Sequence, residues 1–256
     1  MFRTAVVRRP ARSLAAGITS SPHLGAPDYD RALGQHDAYI RALEACGVSV
    51  TVLEALEEFP DSCFVEDTAV CLRDRAVLSN PGAPSRTGEV EEMERALRSF
   101  FPSDRIYRIR EPGTLEGGDV LRTDTEFFVG LSGRTNKEGA IQLLTLLRDW
   151  GIPGQAVPVP GILHLKTGMS LVHGGRLLVT EEFADYPPFR AFEKILVPTE
   201  EAYAANCLWV NGNVIVPAGY PGVRRAVEGL GCRVLEVDTS EFRKIDGGLT
   251  CLSLLF

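Results

Sequence analysis

None of the six cysteines forms a Cys-x-x-Cys pair, and six in 256 residues is close to background, so neither a zinc knuckle nor a disulfide framework is indicated. Basic residues are in the minority. With 27 Lys and Arg against 34 Asp and Glu, the net charge of −7 provides no field to gather phosphate backbones, and nucleic acid is excluded as a partner. Long hydrophobic runs are also missing: the most apolar stretches, Ile141 to Leu147 and Val214 to Ala218, fall far below the roughly 20 residues that cross a bilayer. No membrane partner is expected. Thr4 to Val7 is too short for a signal-peptide core and runs into Arg8, Arg9 and Arg12, which predicts a cytoplasmic chain. There is no low-complexity tract or long linker, and a hydrophobic fraction of 45% rules out disorder and fibre. One catalytic domain over residues 1–256 is expected, as a monomer or homodimer.

What is present is repetition. Short β-branched runs recur at Phe64 to Leu72, Leu115 to Leu121, Leu163 to Val172, Ala205 to Val210 and Leu249 to Leu255, spaced by roughly 40 to 50 residues, the scale of one supersecondary unit. Four of them are followed by a second strand-like run: Ala76 to Leu78, Glu126 to Gly130, Gly175 to Thr180 and Val214 to Val216. Amphipathic helices are predicted between them, over Gly88 to Phe101 (Val90, Met93, Leu97, Phe100), Tyr29 to Cys46 (Leu33, Ile40, Leu43), Asn136 to Trp150, Pro221 to Leu230 and, more briefly, Pro188 to Ile195. About five units of strands plus one helix point to a cyclic α/β fold rather than a doubly wound sheet, with Arg3 to Arg8 supplying the strand that closes the ring.

The first strands of such a ring converge on its axis, so polar residues within them carry the functional signal. Glu66-Asp67, Glu116-Gly117-Gly118-Asp119, His164-Leu165-Lys166 and Gly247-Gly248-Leu249-Thr250-Cys251 fall at equivalent places in successive units. Singly, each has a plain structural explanation. Glu66-Asp67 fits a solvated edge strand, Gly117-Gly118 a bulge or turn, His164 a structural histidine and Cys251 a core thiol. His173 reads as a turn residue, and His23 and His36 as surface or helix residues. Together, a thiol, an imidazole and buried carboxylates compose a nucleophilic site for a positively charged electrophile, since acids cost several kcal/mol to bury unless a cation neutralises them.

These segments, with Pro81-Gly82-Ala83-Pro84-Ser85-Arg86, Ser132-Gly133-Arg134-Thr135-Asn136 and Lys244-Ile245-Asp246, resemble the dimethylarginine dimethylaminohydrolase family, especially its short bacterial form, over nearly the whole chain. The resemblance implies a five-bladed, pseudo-symmetric α/β propeller of ββαβ-type repeats. It further implies Cys251 as nucleophile, His164 as general acid/base, and Glu116 as the carboxylate orienting both His164 and the substrate guanidinium. Asp67 would hold guanidinium nitrogens and the Arg86–Arg134 pair a substrate α-carboxylate, with Asp61, Glu66 and the backbone at Ile245 as further contacts. Ser13 to Ser21 would be a lid, with Ile18 where the family commonly has leucine. No metal or cofactor is implied, and the partner is a small methylated arginine. Lys166 stands where arginine deiminases typically have aspartate, which disfavours unmethylated arginine. The alternatives are an arginine deiminase or other guanidine or amidine hydrolase, or a catalytically silent ligand-binding propeller in which Cys251 is structural.

Overall fold

The computed structural model describes residues 1–256 as a ring of five three-stranded sheets. In chain order the elements are β1 (Thr4–Arg8), α1 (Tyr29–Ala45) and β2 (Ser49–Leu53); β3 (Ala69–Cys71), β4 (Ala76–Leu78), α2 (Thr87–Leu97) and β5 (Ile106–Arg108); β6 (Val120–Arg122), β7 (Phe127–Leu131), α3 (Lys137–Asp149) and β8 (Gly154–Pro158). They continue with β9 (Met169–Val172), β10 (Arg176–Val179), α4 (Glu181–Ala184) and β11 (Lys194–Leu196); β12 (Leu208–Val210), β13 (Asn213–Pro217), α5 (Pro221–Glu228) and β14 (Arg233–Val237); and finally α6 (Ser240–Arg243) and β15 (Leu254–Leu255). Four blades are antiparallel hairpins whose second strand is followed by a helical crossover and a third, parallel strand, as in β4 beside β5 and β7 beside β8. β15 pairs antiparallel with β1 through Val6 and Leu254, so the two ends of the chain close the ring as expected.

Local chemistry sets the helix ends. Asp28 caps α1 by accepting from Arg31 N at 2.9 Å, Asn136 caps α3 by accepting from Gly139 N at 2.8 Å, and Pro221 opens α5. The apolar stripe of α2, Val90, Met93 and Leu97, is buried as its spacing predicts, although the helix ends at Leu97 and leaves Phe100 beyond it. In α1 the buried face is rotated from the predicted one: Ala32, His36, Tyr39 and Leu43 point inward while Leu33 and Ile40 are half-buried, because the Tyr39 hydroxyl reaches Ser253 Oγ at 2.7 Å. No helix forms over 188–195. Phe189 and Phe192 instead pack on Phe128 in an aromatic cluster, Pro187–Phe189 is a 3-10 turn, and Lys194–Leu196 is the outer strand.

The core lies between blades. Ala140, Leu143 and Leu147 of α3 share one cluster with Val70 and Val77 of the preceding blade and Val120 and Val129 of their own. Each blade therefore completes its neighbour's apolar surface, and truncating one such leucine to alanine costs about 2 to 5 kcal/mol.

His36 is fully buried in α1, and burial, reinforced by the nearby Arg9 charge, lowers its pKa from 6.5 to about 4. A histidine depressed in the folded state does not penalise folding above pH 6.5 but destabilises increasingly as pH falls toward 4, by about 3 kcal/mol in full at 1.36 kcal/mol per pH unit. His36→Leu should therefore flatten the loss of stability between neutral and mildly acidic pH, as measured by urea unfolding at pH 7 and near 4.5. Equal losses in the native chain and the variant would show that His36 is not the titrating group.

Candidate active site

The acids, imidazole and thiol singled out above lie not inside strands but on short 3-10 turns, or immediately before them, at the inner ends of four blades. The turns are Val65–Thr68, Gly117–Asp119, Leu165–Thr167 and Thr250–Leu252, each followed by the innermost strand of its blade. A turn aims side chains along the axis where a strand would alternate them across its faces. The turns must also approach each other closely. At Gly117 a Cβ would lie 1.9 Å from Glu66 O, so only glycine admits that backbone contact.

His164 Nε2–H donates to Glu116 Oε2 at 2.7 Å, and Glu116, with no exposed surface, also accepts from Ala83 N at 3.2 Å and Arg134 Nη1 at 3.3 Å. Asp67 accepts from Arg86 Nη1 at 2.6 Å and Gly118 N at 2.9 Å. The buried Arg86 fork spends its other donors on Glu89 and on the carbonyls of Asp61 and Phe64, leaving one Nη1 hydrogen uncommitted. Glu66 is likewise engaged: Lys166 Nζ donates to one oxygen and Thr250 Oγ1 to the other at 2.8 Å. Asp61 Oδ1 accepts from Ile18 N at 3.0 Å, and Ser20 donates to Asp246 through its backbone and its hydroxyl, fastening the Ser13–Ser21 segment over the site.

Ile18, Asp61, Asp67, Arg86, Arg134, His164, Ile245 and Cys251 line one cavity of about 30 Å³. A second, of about 180 Å³, shares His164, Asp246 and Cys251 with it and is lined mostly by polar residues. A third cavity, about 890 Å³, is bordered by Arg3, Arg122 and Trp209; Glu66, Lys166 and Thr250 line both it and the 180 Å³ chamber.

Burial alone would push His164 down, but the charges of Asp67, then Glu116 and Asp119, outweigh it and lift the imidazole to about 9. Asp67, which burial would raise, is held low by the His164 and Arg86 charges. Burial, with Glu66 and Asp67 adding negative charge, pushes the Cys251 thiol up to about 12, against which the Gly248 N–H, 3.4 Å from Sγ, works weakly. The site thus rests with a protonated imidazole and a protonated thiol at neutral pH. Carboxylate oxygens of Asp67 and Glu116 and a ring nitrogen of His164 lie within 4.8 Å of one another, and the two carboxylates are the acceptors a cation would meet there. A flat guanidinium, with several N–H donors, can satisfy both while adding the positive charge the thiol requires.

Sequence reasoning missed Glu89 and Asn206, and it named Asp119 and Lys166 without the contacts by which they support the site. Glu89 is buried against Arg86 and lifted by that burial to about 7; its signal was its place three residues after an arginine. Asp119 accepts from Ser132 Oγ at 2.6 Å and Leu165 N at 2.9 Å, anchoring the turn that carries His164. Lys166 shields Glu66, and Asn206 joins two of the turns.

A ring of five ββαβ blades with a thiol, an imidazole and carboxylates gathered at its axis defines the five-bladed α/β-propeller class. A family model described as N,N dimethylarginine dimethylhydrolase, eukaryotic, matches residues 27–169. The N(G),N(G)-dimethylarginine dimethylaminohydrolase of Pseudomonas aeruginosa is 50% identical over 256 residues, all of both chains. A structure of the P. aeruginosa protein, a cysteine-to-serine variant complexed with citrulline, superposes with a TM-score of 0.97 at 50% identity over all of both chains. The same values hold for a histidine-to-glycine variant of dimethylarginine dimethylaminohydrolase as an adduct with S-methyl-L-thiocitrulline. The chain belongs to the dimethylarginine dimethylaminohydrolase family.

Asp67→Asn should bring the His164 pKa down from about 9 toward its ordinary 6.5, read by NMR of the labelled imidazole. Because a raised histidine contributes stability that is full below 6.5 and lost as pH rises through about 9, the variant should also lose its share of the alkaline fall in stability. An imidazole still titrating near 9 would show that Asp67 does not set it.

Proposed function

We propose that the chain hydrolyses Nω-methylated arginines to citrulline and methylamine or dimethylamine through a covalent thiouronium on Cys251. The observation that carries this reading is the Asp67 carboxylate and the His164 imidazole, itself hydrogen-bonded to buried Glu116, lining one cavity with the Cys251 thiol. The relatives add to it, since one holds citrulline and another an S-methyl-thiocitrulline adduct.

In this reading Asp67 and Glu116 accept guanidinium N–H groups. Arg134 and the uncommitted Arg86 hydrogen meet the α-carboxylate, while Asp61, with the main chain at Ile18 and Ile245, holds the amino end. The bound cation lowers the thiol pKa, its proton leaves to solvent, and the Cys251 thiolate attacks the guanidinium carbon. His164, already an imidazolium, gives its proton to the departing amine as the carbon–nitrogen bond breaks. The neutral imidazole then takes a proton from water. The resulting hydroxide adds to the thiouronium carbon, and as the carbon–sulfur bond breaks the hydroxyl proton leaves to solvent, releasing citrulline and restoring the thiolate. One water is consumed; of the two protons given to solvent, one is taken up by the freed amine, which carries off the positive charge, and the other returns to the thiolate of the empty site.

Lys166 supports selectivity for methylated substrates: by engaging Glu66 it removes an acceptor that unmethylated arginine could satisfy and methyl groups could not. No helix is long and apolar enough to cross a membrane. Six free thiols suit a reducing cytoplasm.

Citrulline release from asymmetric dimethylarginine and monomethylarginine should exceed release from arginine, and Cys251→Ser should lower it by at least about 10³-fold, the scale seen when a covalent nucleophile is removed. Turnover chiefly of arginine would overturn the selectivity, and an active Cys251→Ser chain the covalent route.

A further inference from the structure

Four of the hydrogen-bonding residues at the axis form a closed circuit. Asn206, buried just before β12, accepts from Thr250 N at its Oδ1 (3.0 Å), while its Nδ2 donates to Lys166 O (2.9 Å) and to Thr250 Oγ1 (3.0 Å). Thr250 Oγ1 passes its own hydrogen to Glu66 Oε2, and Glu66 Oε1 accepts from Lys166 Nζ, which returns the circuit to its start. The amide orientation is fixed by this chemistry, because the reversed amide would set a donor against Thr250 N–H and an acceptor against the Lys166 carbonyl.

The circuit joins the turns on which His164 and Cys251 sit. Thr250 directly precedes Cys251, and Lys166 lies two residues after His164 on the turn that His164 opens. The backbone has made room for it: a Cβ at Gly248 would stand 2.6 Å from Asn206 Oδ1, and it is the Gly248 N–H that faces Cys251 Sγ. We infer that Asn206 is a positioning residue of the reaction, setting the separation between the nucleophile turn and the imidazole turn through a bond to each. The inference rests on the function proposed above and names a residue for it from the blade that contributes no reacting group.

The test uses the full chain with Asn206→Ala, Asn206→Asp and, as an independent cut in the circuit, Thr250→Val. Unfolding midpoints identify the folded variants. With methylated arginine, kcat should fall about 10²-fold in Asn206→Ala while KM stays within about threefold, as expected for misplaced reacting groups rather than lost binding. Thr250→Val should fall less. A second readout needs no substrate. The rate at which iodoacetamide alkylates Cys251, followed against pH by peptide mass, should show an inflection from His164 in the native chain, because a neighbouring imidazolium promotes the thiolate. Asn206→Ala should lose that inflection and match His164→Ala.

A native chain inactive on every guanidine would refute the proposed function, whereas the alkylation profile judges Asn206 separately. A folded Asn206→Ala with kcat within about threefold of native and an unchanged profile would overturn the inference. Failure of all three variants to fold would also overturn it, assigning the circuit to the fold.

Discussion

Everything at the axis answers to one constraint: Glu66, Asp67, Glu116 and Asp119 are drawn out of water onto turns that nearly touch. Left unpaired, each would cost several kcal/mol. Arg86 meets Asp67, Lys166 meets Glu66, the His164 imidazolium meets Glu116, and Asp119 is satisfied by Ser132 and the Leu165 amide. The close backbone approach at Gly117, the spent donors of Arg86 and the raised imidazole are all ways of holding that negative charge in place. In the proposed reading the substrate completes the set, because it brings the positive charge that this cluster can still accept.

In that reading the same electrostatics restrain Cys251 as the nucleophile. A thiol among carboxylates is a poor nucleophile until a cation enters, so reactivity is tied to the charge and shape of the ligand rather than being a standing property of the cysteine. In the proposed reading, pairing Lys166 with Glu66 refines the restraint by limiting which guanidinium nitrogens find an acceptor.

Much of this was legible in the chain. The period of strand-like runs gave the five units, and the β-branched stretch at Arg3 to Arg8 gave the closure, since a strand with no local partner must find one elsewhere. Helices capped by Asp28 and Asn136 could be placed because capping is local chemistry. The outer strand of each blade was not placed: Ser49–Leu53 and Gly154–Pro158 are short, partly exposed, and distinguishable only by pairing with a neighbour. The 3-10 turns escaped for a related reason, as Phe64 to Leu72 has the composition of a strand and bends only because Glu66 and Asp67 must reach the axis. For the site, the residue types and their order singled out Cys251, His164 and the acids, which the fold brings together at the axis. Glu89 and Asn206 could not be read that way, because nothing in a buried glutamate or asparagine reports its partner until the fold brings Arg86 or Thr250 beside it.

The turn that carries Cys251 leads directly into β15, the strand whose pairing with β1 shuts the ring. That strand is held to β1 at the registered pairs Ala5–Leu255 and Val6–Leu254, so detaching it frees the turn that holds the sulfur beside the imidazole. In the proposed reading a breached ring is thus disarmed: the fold couples its own integrity to its chemistry.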